Sequence, residues 1–150
     1  MVYIDESGID QFLQPAYGWS RKGVLVYGEV SGKRYDRESF VAAKIENRVI
    51  APFCYKGTCN TLLFNRWVEK ILCPLLSPGQ IVIMDNATFH KSAKTKELIK
   101  NAGCTLKFLP PYSPDLNPIE IFWANFKESL RKIINKFQSL SQAIDHVFSL

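Results

Sequence analysis

Histidine is nearly absent from this sequence: His90 and His146 are the only two in 150 residues. With so few imidazoles the serines have no evident partner base, which argues against covalent serine catalysis. Cysteine is scarce as well. Cys54, Cys59, Cys73 and Cys104 form no CxxC pair and have no histidine at zinc-finger spacing. They are expected to be reduced thiols packing as small apolar side chains. Long apolar runs are missing too, since stretches such as Ile81-Val82-Ile83-Met84 fall far below the roughly 18 residues that span a bilayer. The opening MVYIDESG carries acids at positions 5 and 6 where a secretory signal would need an apolar core. These absences exclude a membrane partner and predict a cytoplasmic protein. No internal repeat, low-complexity tract or linker interrupts the chain.

What is present is an ordinary globular composition, 47% apolar and 22% charged, in a length that suits one domain with a real core. Lysine plus arginine exceed aspartate plus glutamate, 19 to 14, and the pI is near 9.0. A basic balance of this kind suits a polyanionic partner, with nucleic acid the first candidate.

Val2-Tyr3-Ile4 reads as a short strand ending in the polar cluster Asp5-Glu6-Ser7-Gly8. Residues 17–55 alternate β-rich runs (Val24 to Tyr27, Ser39 to Ala42) with turn signals such as Ser31-Gly32-Lys33, which predicts an antiparallel meander. Asn60 then caps a helix whose apolar stripe is Leu63, Phe64, Trp67, Val68, Ile71 and Leu72, stopping before Pro74. The unbroken run Ile81 to Met84 predicts a central strand covered on both faces, and it ends on Asp85. A helix over 92–102 stopped by Gly103 follows, then a strand carrying Cys104, Leu106 and Phe108. Asn117 as cap and Pro118 in the first turn start a helix with the stripe Ile119, Phe122, Trp123, Phe126, Leu130 and Ile133. A last amphipathic helix carries Leu140, Ala143, Ile144, Val147 and Phe148. The order predicts an α/β fold, a mixed sheet flanked by helices.

Two strands thus each finish on an aspartate, and open α/β sheets place their ligands beyond the carboxyl ends of strands. Asp5 and Asp85 brought together would repel unless a cation sat between them, which suits Mg2+ held by carboxylates, water and substrate phosphate. Glu120, with 34 residues between it and Asp85, is a candidate third acid. The competing readings are turn-forming acids at strand ends for the aspartates and a capping box with Asn117 for Glu120.

The wording around these acids is distinctive. Asp85-Asn86-Ala87-Thr88-Phe89-His90 and the stretch from Pro110-Pro111-Tyr112-Ser113-Pro114-Asp115 through Leu116-Asn117-Pro118-Ile119-Glu120 to Phe122-Trp123 closely resemble the second and third signature blocks of DDE transposases. Within that group the chain looks like insertion-sequence transposases related to the Tc/mariner superfamily. Ile4-Asp5-Glu6-Ser7-Gly8 is similar to the first block, and Tyr17-Gly18-Trp19-Ser20 with Arg21-Lys22-Gly23 matches the motif that follows it. The resemblance covers nearly the whole chain. It implies a ribonuclease H-like fold in which Asp5, Asp85 and Glu120 bind two divalent ions, Mg2+ or Mn2+, for in-line attack on a phosphodiester. It also places Glu6, Asn86 and His90 beside the metal ligands as auxiliary residues. His90 then either touches the metal shell or the scissile phosphate, or orients its loop. Trp19 with Arg21 and Lys22 joins an aromatic face to two cations and reads as a DNA contact, or else as a solvated turn.

The implied activity is DNA strand cleavage and strand transfer at transposon ends by an enzyme that acts on DNA as a homo-oligomer in a prokaryotic nucleoid. The chain opens on the first catalytic strand, so the helix-turn-helix region that such transposases carry in front is read as absent, either supplied by an upstream-frame DNA-binding subunit or domain or lost in a decayed or trimmed copy. Two other readings stay open: another ribonuclease H-like nuclease, and a truncated remnant that binds DNA without cutting.

Overall fold

The architecture comes from a computed structural model, which describes residues 1–10 and 37–149. The strand β1 (Val2–Asp10) pairs along its whole length with antiparallel β2 (Arg37–Ile45), which turns back into β3 (Arg48–Lys56). The helix α1 (Thr61–Trp67) leads to β4 (Ile81–Met84), α2 (Ala93–Asn101) to β5 (Thr105–Phe108), and α3 (Ile119–Ile133) with α4 (Leu140–Phe148) follow. One five-stranded sheet results, in the order β3-β2-β1-β4-β5, with β4 parallel to both β1 and β5.

Side chains decide where α1, α2 and α4 start. Asn60, Ser92 and Ser139 each accept a first-turn amide, from Leu63 at 2.8 Å, Thr95 at 3.1 Å and Gln142 at 3.2 Å, satisfying donors that a helix leaves unpaired. Gly103 ends α2 with φ +79°, a left-handed conformation that glycine adopts without steric cost. Alternation along the strands then builds two cores. Val2, Ile4, Val41, Val82 and Met84 face Phe64, Trp67 and Ile99 on one side of the sheet. On the other, Ile9, Phe40 and Ala42 face Ile119, Trp123, Phe126, Leu130 and Ile144. Both faces are sealed by aromatic contacts, such as Phe40 on Trp123 at 4.9 Å between ring centroids.

Three expectations need correction. The first strand does not stop at Ile4; it runs on to Asp10, because β2 supplies ladder partners well past Val2 and Tyr3, the two β1 residues that β4 reaches. Asp5 therefore sits within a strand and not in a turn. The helix after Asn60 is α-helical only to Trp67, then continues as one π-helical turn (Val68–Leu72) and a 3₁₀ turn (Cys73–Leu75), in line with Pro74, which has no N–H to donate. Finally, the boundary residue of α3 is Pro118, one position later than Asn117, and Asn117 does more than cap. Asn117 is buried and extended and still caps with its side chain, its Oδ1 accepting from the Ile119 amide, while its Nδ2 donates to the Ile4 carbonyl, each at 3.3 Å.

Of the predicted meander, β2 and β3 form its described part, while the run Val24 to Tyr27 lies outside the described residues. All four cysteines are free thiols; Cys104 is buried and the other three half-buried. Among the described residues no helix is long and apolar enough to cross a membrane.

Candidate active site

Strand alternation separates the two neighbouring acids of β1. Asp5 shares a face with Ile9 and points toward α3, whereas Glu6 points to the opposite face, where His90 lies against Phe64. The Asn117 bridge to Ile4 fastens the start of α3 beside this part of β1, and so places Glu120, in the first turn, against Asp5. Asp85 follows directly on β4. The three acids line one cavity of about 370 Å³, whose wall is the loop from Leu109 to Pro114. Asn86 also lines it, and its Nδ2 donates to the Leu109 carbonyl, tying the loop after β4 to the loop after β5.

The electrostatics follow from crowding of like charges. Asp5 is only 7% exposed. Its burial, the adjacent Glu120 charge and a hydrogen bond with that carboxyl, and further out Glu6 and Asp85, push its pKa up to about 8. Glu120 is thus engaged with Asp5, which sets the capping-box reading aside. Asp85 shifts the other way. Its hydrogen bond with His90 outweighs partial burial, and the Ala87 amide at 3.0 Å adds to it, so the carboxyl is held below its ordinary value. Burial by itself would lower the His90 pKa, but hydrogen bonds to Asp85 and Glu6 raise it to about 9.

These shifts set a pH dependence. Asp5 binds its proton more tightly folded than unfolded, so the stability it contributes is fully present below about pH 4 and is lost as pH rises toward 8. His90, raised above 6.5, loses its contribution as pH rises through about 9. Asp85, shifted downward, contributes above its ordinary pKa and loses that on acidification. The metal-free chain should therefore melt at a lower temperature at pH 9 than at pH 6, and Asp5→Asn should flatten part of that difference. A melting temperature that rises from pH 6 to pH 9 would contradict the arrangement.

Among the described residues no three His, Cys, Asp or Glu side chains stand at the spacing of a formed metal site. Asp5 and Glu120 are closed on each other, and Asp85 Oδ1 lies 2.6 Å from His90 Nδ1. The donor set nonetheless fits a hard divalent cation: it consists of carboxylates, and a cation could replace the proton that the Asp5–Glu120 pair shares.

Of the residues singled out in the sequence, Asp5, Asp85, Glu120 and Asn86 come together in one cavity, and Glu6 and His90 stand directly behind Asp85. Trp19, Arg21 and Lys22 lie outside the described residues. In the sequence Asn117 reads as a cap alone; its bond to the Ile4 carbonyl, 113 positions away, has no local signal.

A sheet ordered β3-β2-β1-β4-β5, flanked by helices on both faces and followed by Asp85 at the carboxyl end of β4, defines the ribonuclease H-like class. Residues 1–144 match the family described as DDE superfamily endonuclease, and the chain belongs to that family. Among solved structures it is similar to the Mos1 transposase paired-end complex with left transposon end, at 18% identity and TM-score 0.63, covering 86% of this chain and 41% of that one. The Mos1 strand transfer complex aligns at 17% identity and TM-score 0.64, covering 99% and 51%. The catalytic core domain of BIV integrase aligns at 14% identity and TM-score 0.53, covering 73% and 72%. The chain thus spans about half or less of the Mos1 transposase chains it resembles. No curated protein sequence matches it.

Proposed function

We propose that this chain is the catalytic domain of a DNA transposase, performing divalent-metal-dependent strand cleavage and strand transfer at transposon ends. The observation that carries this reading is the meeting of Asp5, Asp85 and Glu120 in one cavity, although they come from a strand, a strand end and a helix start. Bound Mg2+ or Mn2+, as two ions, would activate the attacking oxygen and neutralise the leaving one. Asp5, Asp85 and Glu120 would hold the metal. Asn86 would keep the two wall loops in register through Leu109, so that the phosphodiester meets a fixed surface. The partner is DNA, on which copies of the chain would assemble, with an upstream DNA-binding subunit or domain supplying recognition of the ends. Stripping divalent metal with a chelator should abolish nicking of supercoiled plasmid by the complete enzyme, and added Mg2+ or Mn2+ should restore it. Nicking that survives chelation would refute the proposal.

A further inference from the structure

The imidazole of His90 has no solvent exposure and lies between two carboxylates, Nδ1 2.6 Å from Asp85 Oδ1 and Nε2 2.7 Å from Glu6 Oε1. Its plane is set by aromatic neighbours, with Phe64 and Phe89 each at 4.5 Å between ring centroids. The ring therefore has little rotational freedom, and what it presents to Asp85 depends on what holds its far nitrogen. Glu6 does that from the strand next to β4, with its side chain only 14% exposed. Asp85 Oδ1 is engaged by both His90 and the Ala87 amide, while the side chain as a whole remains 48% exposed toward the cavity.

We infer that Glu6 is a positioning residue for Asp85, acting through His90, so that Asp85 offers its second oxygen to a cation in a fixed direction. The inference rests on the reading of Asp85 as a metal-holding residue. Hydrogen-bonded partners behind a metal site orient the groups that bind, and losing one costs about 10–100-fold in metal affinity or activity. The chain of contacts has a defined order, Glu6 to His90 to Asp85, and that order makes it testable.

The experiment is Mn2+ binding to the full chain, followed by calorimetry without DNA. Glu6→Ala should weaken Mn2+ binding by about 10-fold or more, whereas Glu6→Gln, which keeps an acceptor for Nε2–H, should recover most of the loss. His90→Ala should weaken binding too, although it removes a cation beside the ligand, and the Glu6→Ala/His90→Ala double variant should lose no more than His90→Ala alone. Tighter binding in His90→Ala would overturn the inference, because the ring would then be a competitor of the metal. Equal losses in Glu6→Gln and Glu6→Ala would overturn it as well, leaving simple charge as the cause. Should His90→Ala fail to fold, the two Glu6 variants decide, since that carboxyl lies outside the apolar cores. Asp85→Asn separates the inference from its foundation. Unchanged Mn2+ binding in Asp85→Asn removes the metal reading itself, whereas loss there with none in Glu6→Ala removes only the positioning role.

Discussion

Asn in place of Asp85 is expected to lower Mg2+-dependent nicking by the complete enzyme about a thousandfold or more, while DNA binding persists. The substitution preserves shape and hydrogen-bonding capacity but removes one negative charge from the cavity. Metal-borne charge stabilisation is worth several kcal/mol to a transition state, and about 4 kcal/mol corresponds to three decades of rate. DNA binding should survive, because attraction to a polyanion does not need an acidic group. The side chain is 48% exposed and sits outside both apolar cores, so the fold should tolerate the change. His90 would keep Glu6 as its counter-charge. A plasmid-nicking assay beside a DNA-binding assay reads both effects. Nicking at the parental rate would return Asp85 to the role of a turn-forming acid at a strand end.

Asp85 was the most legible of the three acids, because Ile81 to Met84 is too apolar for anything but a strand buried on both faces and the chain must leave it on a polar residue. Glu120 was legible as a first-turn residue of α3, but its partner was not. Nothing local distinguishes a glutamate that caps its helix from one that leans on an aspartate more than a hundred positions earlier in the chain. At Asp5 the sequence suggests a turn where the structure has a strand. Its polar neighbours Glu6, Ser7 and Gly8 look like a turn, and only pairing with β2, a segment distant in sequence, keeps them in a strand. With the strand prolonged, alternation would have sent Asp5 and Glu6 to opposite faces, and so identified Glu6 as a partner for something other than Glu120. The burial of His90 was hidden for a similar reason. It lies in a short 3₁₀ turn (Thr88–Lys91) of mixed polarity, and burial there is imposed by Phe64 from another element.

DNA affinity is expected to fall steeply with salt and to distinguish terminal from scrambled sequence only weakly. The net charge of +5 favours phosphate contacts, and each phosphate neutralised contributes roughly 0.9 to the slope of log affinity against log salt. Three or four such contacts would weaken binding by about 40- to 150-fold between 50 and 200 mM salt. Sequence discrimination requires side chains placed at base edges in a groove. Among the described residues, α1, α2, α3 and α4 each bury a face in one of the two cores, and none stands clear of the sheet as a reading helix. The exposed lysines of α2 point the same way. Thr95 and Ile99 form its buried face, which puts Lys94 on one flank and Lys96 with Lys100 on the other, so they suit scattered phosphates better than one groove. A titration of this chain against terminal and scrambled duplexes at two salt concentrations measures both properties. Strong preference for the terminal duplex, retained at the higher salt, would show that end recognition resides in the catalytic domain itself.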